Sequence, residues 1–266
     1  MYPFTYVKAT SLKQAGEFLA AHPDAKLLAG GMTLIPTLKA RLAQPSHLVD
    51  IGGLKELRGI ELKNGELRIG AATQHHEVAT SSVVRQAIPA LAQLAGLIGD
   101  PQVRNLGTIG GSVSNNDPAA DYPAALLGLA AMVLTTRREI PADNFFQGMF
   151  ATALQPGEIV VRIAFPVARR AAYSKFPHPA SGYAMTGVFV AETANGVRVA
   201  VTGAGPGAFR WHEAEAALKK NMSPAALDAL AVSAGDLNED MHATREYRAN
   251  LVKVMAKRAV AQIIGK

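Results

Sequence analysis

The chain contains no cysteine. Disulfides, thiolate zinc centres and cysteine-held iron–sulfur clusters are therefore excluded within this polypeptide, and any such cluster working with it must sit on another chain. Long apolar runs are also missing. A membrane-spanning helix needs roughly 20 predominantly apolar residues, and the longest candidate stretch, 119–134, is interrupted by Asp121 and Pro123. The opening segment has no basic stretch followed by an apolar core, so the expectation is a soluble, cytoplasmic protein without a membrane span. A net charge of +6 raises the question of nucleic acid. The basic residues, however, are scattered in short pairs such as Arg137-Arg138, Arg169-Arg170 and Lys219-Lys220, with no aromatic-interleaved stripe to stack bases. They read as a solvated face or a surface for an acidic partner, and no nucleic-acid partner is expected.

Familiar catalytic patterns are absent too. There is no Walker sequence, no G-x-G-x-x-G, no Ser-His-Asp order and no metal-ligand spacing. His75 and His76 are adjacent, which points them to different sides of a helix or strand and suits loop or helix-capping roles better than shared metal binding. His178 lies between two prolines and reads as a loop residue at an interface.

What the chain does have is length and turn chemistry. Its 266 residues, 49% of them hydrophobic, with 24 Gly and 15 Pro, allow two or three compact lobes and an internal cleft. Apolar runs alternate with amphipathic stretches over 4–7, 12–21, 26–29, 34–42 and 48–51, which predicts strand, helix, strand, helix, strand in a first α/β lobe over 1–57. A second lobe, 58–167, opens with two strands flanking Asn64-Gly65, a strong hairpin signal. A helix capped by the 80–82 hydroxyls follows, with Val83, Ala87, Leu91 and Ala95 on one face, ending near 96–99. After a glycine-rich segment come a helix from about Pro123 and strands at 132–135 and 158–165. The last lobe, 168–266, is expected to be α+β: three strands at 172–176, 183–192 and 197–202, the last two joined at Asn195-Gly196, then helices at 211–219, 224–235 and 244–264.

Two segments carry the chemistry. Leu27, Leu28 and Ala29 lead into Gly30-Gly31, then Met32, Thr33 and Leu34 at a helix start. Adjacent glycines let the backbone approach a ligand and present N–H groups in a nest suited to phosphate, with a helix N-terminus behind it. Taken alone, the segment also reads as an ordinary tight turn. Thr108, Ile109, Gly110, Gly111 and Ser112 repeat the device, and Asp117 and Asp121 follow. A nucleotide held by two separate glycine loops fits this pattern better than a P-loop or Rossmann site. Asp121 could serve sugar hydroxyls or simply cap the helix before Pro123.

AGGMTLIP and TIGG, with QVRN before the latter and DPAADYPAALLGL after it, resemble the FAD-binding medium subunit of the xanthine dehydrogenase and carbon monoxide dehydrogenase family of molybdenum hydroxylases. The resemblance runs on through GEIVVRIAFP and YSKFPHPASGYAMTGV and covers essentially the whole chain. It implies an α+β fold: a PCMH or vanillyl-alcohol-oxidase type FAD-binding domain in two α/β subdomains, followed by an α+β C-terminal flavoprotein domain with a three-stranded sheet and helices. It implies non-covalent FAD, with 27–34 as the first FAD loop and 108–112 as the second. By the same resemblance Asp121 lies near the adenosine portion, Ile98 and Val160 are apolar contacts, and Lys175 is the cleft lysine that could stabilise negative charge at the flavin's polar edge. Met32 stands where many relatives have histidine, Ser112 where asparagine is usual, and Ile98 where some place an aromatic ring.

The implied partners are a large molybdopterin subunit and a small subunit with two [2Fe-2S] clusters, electrons passing from the nearer cluster through FAD to NAD, a quinone or oxygen. The lack of cysteine is consistent with that division and argues against the branch whose flavin subunit carries a further [4Fe-4S] cluster. The alternatives from the residues are a stand-alone FAD-dependent oxidoreductase of the same fold and a non-redox nucleotide-binding protein.

Overall fold

The computed structural model describes residues 1–265. The first sheet is built from β1 (Thr5–Lys8), β2 (Lys26–Leu28) and β3 (His47–Asp50), in the order β1-β3-β2 with both pairings parallel. Parallel neighbours need crossovers. Helices α1 (Leu12–Ala21) and α2 (Leu34–Lys39) supply them. Ser11 starts α1 by accepting a hydrogen bond from the Gln14 amide through its hydroxyl.

The second sheet is antiparallel, with order β4-β5-β8-β6-β7. Its strands are β4 (Ile60–Lys63), β5 (Glu66–Gly70), β6 (Met132–Thr135), β7 (Glu139–Pro141) and β8 (Val160–Pro166). The β4–β5 turn has Asn64 at φ 54° and Gly65 at φ 75°, the left-handed pair that this hairpin type demands. Between β5 and β6 run α3 (His75–Thr80), α4 (Ser82–Ala87), α5 (Pro89–Gly96), α6 (Pro101–Leu106), α7 (Ile109–Asn115) and α8 (Tyr122–Gly128). A short α9 (Ala142–Phe145) follows β7. The single helix expected from the 83–95 periodicity is two, because Ile88 sits at φ −142° and Pro89, which has no amide hydrogen to donate, starts α5 at its first turn.

The third sheet has four strands rather than three, in the order β12-β11-β10-β9. They are β9 (Arg170–Pro177), β10 (Ala184–Thr193), β11 (Gly196–Thr202) and the two-residue edge strand β12 (Phe209–Arg210), too short to leave a periodic signal. Helices α10 (His212–Lys220) and α11 (Arg245–Ile263) complete this lobe. The helix expected over 224–235 is instead two single turns, at Pro224–Leu227 and Ala234–Asp236.

Strand alternation explains how the lobes join. On β10, Val188 and Val190 enter an apolar cluster with Trp211 and with Met255 and Val260 of α11, whereas Phe189 and Ala191 face the other way, into the core shared by the first two sheets. Gly128 of α8 lets that helix settle on Phe189: a Cβ there would lie 2.7 Å from the ring. Among the described residues, no helix is long and apolar enough to cross a membrane.

Candidate cofactor-binding cleft

A cavity of about 530 Å³ opens between the lobes, a size typical of cofactor clefts. Every residue expected at the site lines it except Ile109 and Lys175. Ile109 is fully buried in the core, and Lys175 stands one layer behind the wall.

The first loop leaves β2 and turns at Gly31, whose φ of 72° is a left-handed value that glycine adopts freely. Carbonyls of this loop are engaged: Gly31 accepts from the Ile35 amide and Thr33 from the Thr37 amide. The amides of Gly30, Gly31, Met32 and Thr33 have no acceptor among the described residues. A row of unspent donors on a cavity wall is what an anionic or carbonyl-rich ligand would satisfy. Helix α2 behind it has only six residues, so the donors themselves, and not a long helix dipole, make this wall polar.

The second loop differs from the expectation that it would repeat this device. Its amides are consumed internally: Ile109 donates to the Thr73 carbonyl (3.0 Å), Gly110 to the Ala71 carbonyl (2.8 Å), Gly111 to the Thr108 hydroxyl (3.2 Å) and Ser112 to the Thr108 carbonyl (3.0 Å). Gly110 is there for packing, since a Cβ would fall 2.5 Å from that of Ala71. What this loop offers the cavity is shape and the hydroxyls of Thr108 and Ser112. The two loops also abut. A Cβ on Gly30 would overlap the Leu106 carbonyl oxygen and lie 2.8 Å from Gly107 Cα.

Asp121, only 4% exposed, sits at the start of α8 but makes no cap hydrogen bond. Its carboxylate instead accepts from the Tyr173 hydroxyl (2.5 Å) and the Lys175 ammonium (2.9 Å), both on β9. Burial pushes the Asp121 carboxyl up, against the pull of Lys175 and Tyr173. The Lys175 side chain is 2% exposed, and its ammonium also donates to the Leu97 carbonyl (3.0 Å).

Glu158 was not anticipated, although its carboxylate side chain is fully buried at the cavity wall beside Val160. Burial works against its charge but is outweighed by Arg138, the Thr135 hydroxyl and the Gln155 amide, and its carboxyl is held down to about 2. His75 starts α3 and lines the cavity, while the cap is made by Gln74 with Glu77. Burial first, and the nearby Arg104 charge second, depress its imidazole to about 4, so the ring is neutral at pH 7. Residues 181–183 reach over from the third lobe, with Tyr183 47% exposed at the mouth. His178 shapes that arm through its Nδ1, which accepts from the Ala180 and Ser181 amides. Only Gly182, at φ 70° and packed toward Gly99, left any mark in the sequence of this contact.

Comparison with known proteins gives consistent matches along the chain. A model described as "FAD binding domain in molybdopterin dehydrogenase" matches residues 2–168, and one described as "CO dehydrogenase flavoprotein C-terminal domain" matches 164–263. The chain is 37% identical over 254 residues to the carbon monoxide dehydrogenase medium chain of Hydrogenophaga pseudoflava, covering 89% of this chain and 88% of that one. It is 34% identical over 280 residues to the glyceraldehyde dehydrogenase medium chain of Sulfolobus acidocaldarius, covering 99% and 100%. Its fold matches a chain of the H. pseudoflava carbon monoxide dehydrogenase solved without the Mo-pyranopterin moiety, with a TM-score of 0.91, 36% identity and coverage of 100% and 99%.

Proposed function

Because this chain belongs to the family of FAD-binding medium subunits of the molybdenum hydroxylases, a family of oxidoreductases, we propose that its cleft holds FAD without a covalent bond and that it relays electrons between a partner subunit and an external acceptor. The donor is a small subunit carrying two [2Fe-2S] clusters, itself fed by a large molybdopterin subunit. The acceptor is NAD, a quinone or oxygen, and the assembly is cytoplasmic. The chain divides into two FAD-binding subdomains, 1–57 and 58–167, and a C-terminal domain, 168–266.

The observation that carries this reading is the row of free amides at Gly30–Thr33 set against the second loop. It fits a diphosphate bridge, whose oxygens only accept, without calling on a lysine. Thr108 and Ser112 add hydroxyl donors on the facing side. Ile98 and Gly99, with Gly182 of the 181–183 arm beside them, offer a surface without charged side chains, suited to a flavin ring. Bound FAD would supply the redox chemistry, one- and two-electron exchange that no side chain of this chain offers. The chain's own residues bind and orient it: the loop amides hold the bridge, the apolar wall excludes water, and neutral His75 adds no charge beside the cavity.

Purified protein stripped of nucleotide and titrated with FAD tests the reading. One equivalent should bind, with quenching of flavin fluorescence. A chain that takes up no FAD would overturn it, and turnover of an organic substrate without partner subunits would favour a stand-alone flavin oxidoreductase.

A further inference from the structure

The turn that joins α5 to α6 presents Ile98 and Gly99 to the cavity. It has no regular structure of its own, and Gly99 takes a left-handed φ of 50°. Three successive carbonyls in it are nonetheless each held by a cation. The Leu97 carbonyl accepts from Lys175 (3.0 Å), while Nη1 of Arg104 reaches back from α6 to the carbonyls of Ile98 (3.0 Å) and Gly99 (2.9 Å). Asp100 fixes the start of α6, its carboxylate accepting from the Val103 amide (2.8 Å), so the arginine is launched from a set position. A helix C-terminus leaves carbonyls without partners, and a basic side chain nearby commonly satisfies one of them. Here the guanidinium engages two carbonyls beyond the last helical residue, both belonging to residues that face the cavity. The same turn is the ledge for the third lobe's arm, since a Cβ on Gly182 would lie 3.7 Å from Gly99 Cα.

We propose that Arg104 is a positioning residue for the flavin: by tying the Ile98 and Gly99 carbonyls to α6 it fixes the apolar wall on which the ring lies and the ledge under residues 181–183. The inference rests on the reading that the cleft holds FAD. Lysine is a poor substitute, because its single ammonium lacks the planar, pre-oriented donors of a guanidinium. Glutamine keeps a donor but neither reach nor charge.

The test compares the full chain with its Arg104→Gln and Arg104→Lys variants, each stripped of nucleotide and reloaded with FAD. The readouts are the dissociation constant, the visible circular dichroism of the bound flavin, its midpoint potential and the melting temperature without FAD. Arg104→Gln should weaken FAD binding on the order of tenfold, change the visible dichroism and shift the potential, with Arg104→Lys intermediate. A merely structural role would lower the melting temperature and leave dichroism and potential of the bound flavin unchanged. That result overturns the proposal while FAD binding by the parent chain still stands. If the parent chain binds no FAD, the cofactor reading falls and this inference with it. Should Arg104→Gln fail to fold, Arg104→Lys decides: wild-type dichroism and potential overturn the proposal, and a shift in both supports it.

Discussion

Gly30 offers the most direct check on the convergence of the two loops. Replacing it with alanine places a Cβ onto the Leu106 carbonyl, 2.7 Å from its carbon and 2.8 Å from Gly107 Cα. Ordinary carbon contacts need about 3.5 Å, so the loops must part by about 1 Å. These are backbone atoms anchored by the Gly107 to Val103 and His75 to Gly107 hydrogen bonds, and no side chain can rotate away. Without ligand the cleft can open to relieve the overlap. With a diphosphate drawn to both loops, the strain returns, and overpacking of this kind costs about 1–3 kcal/mol. The dissociation constant for FAD should therefore rise roughly 5- to 150-fold. Fluorescence titration measures this directly, with the melting temperature of the free protein as control. Gly31→Ala is the internal comparison: it meets side chains and no backbone, Ile35 at 3.0 Å and Leu28 at 3.3 Å, and its left-handed φ of 72° costs about 1–2 kcal/mol. That strain is present with and without ligand, so its effect falls on stability more than on affinity. A Gly30→Ala protein with unchanged affinity for FAD would refute the argument that one ligand is gripped between these loops.

Further consequences concern the charges and the core. Lys175→Met leaves Asp121 buried beside Tyr173 alone and should cost about 3–5 kcal/mol, with much of the loss recovered when Asp121→Asn is added. A double-mutant cycle by chemical denaturation measures the coupling, and additive losses would show that the pair does not interact. For Glu158, the folded carboxyl lies near 2 against an ordinary 4.5. Its stabilisation is thus fully present above about pH 4.5 and is lost as pH falls through about 2, up to about 3 kcal/mol. Glu158→Gln should flatten that part of the acid limb in urea melts taken between pH 5 and pH 2, and an unchanged slope would remove Glu158 as its cause. Phe189→Ala removes a fully buried ring between β10 and α8 and should destabilise by about 3–5 kcal/mol. Denaturant midpoints test this, and a loss under about 1 kcal/mol would show that the interface repacks.

Much of the architecture was legible because its signals are local. Asn64-Gly65 and Asn195-Gly196 name their own hairpins, and the double glycines at 30–31 and 110–111 mark places where backbone must come close. The use made of those glycines was not legible. Both loops look alike in sequence, yet only the second spends its amides, because the Ala71 and Thr73 carbonyls at the end of β5 come to meet it. Helix α7 hides in a segment whose glycines argue against helix, and the tertiary hydrogen bonds from the Ile109 and Gly110 amides override that propensity. Pro89 was a readable break, but the apolar periodicity of 83–95 runs straight through it. Glu158 and residues 181–183 reach the cleft only through distant pairing, which no window of sequence can report.

The cleft could not be built by any one lobe, and the distribution of its parts follows from what each lobe can supply. The small parallel sheet ends at β2 in a loop whose 30–33 amides have no acceptor among the described residues, an arrangement that is costly unless a ligand or water accepts from them. The antiparallel sheet and its helices supply the rigid surface against which that loop is pressed, at Leu106 and Gly107. The third lobe supplies the cation, because β9 carries Lys175 to Asp121 and to the carbonyl of Leu97, next to the wall residue Ile98. Removing the third lobe would thus strip the Leu97 carbonyl of its cation and the Asp121 carboxylate of both its side-chain partners. Tyr173 and Lys175, on alternate positions of one strand, both lean on that carboxylate, which makes the seam between the last lobe and the cleft a charged one. Such a seam is stiff in one register and costly in any other, since a slip of β9 by a single residue would turn both side chains to the opposite face.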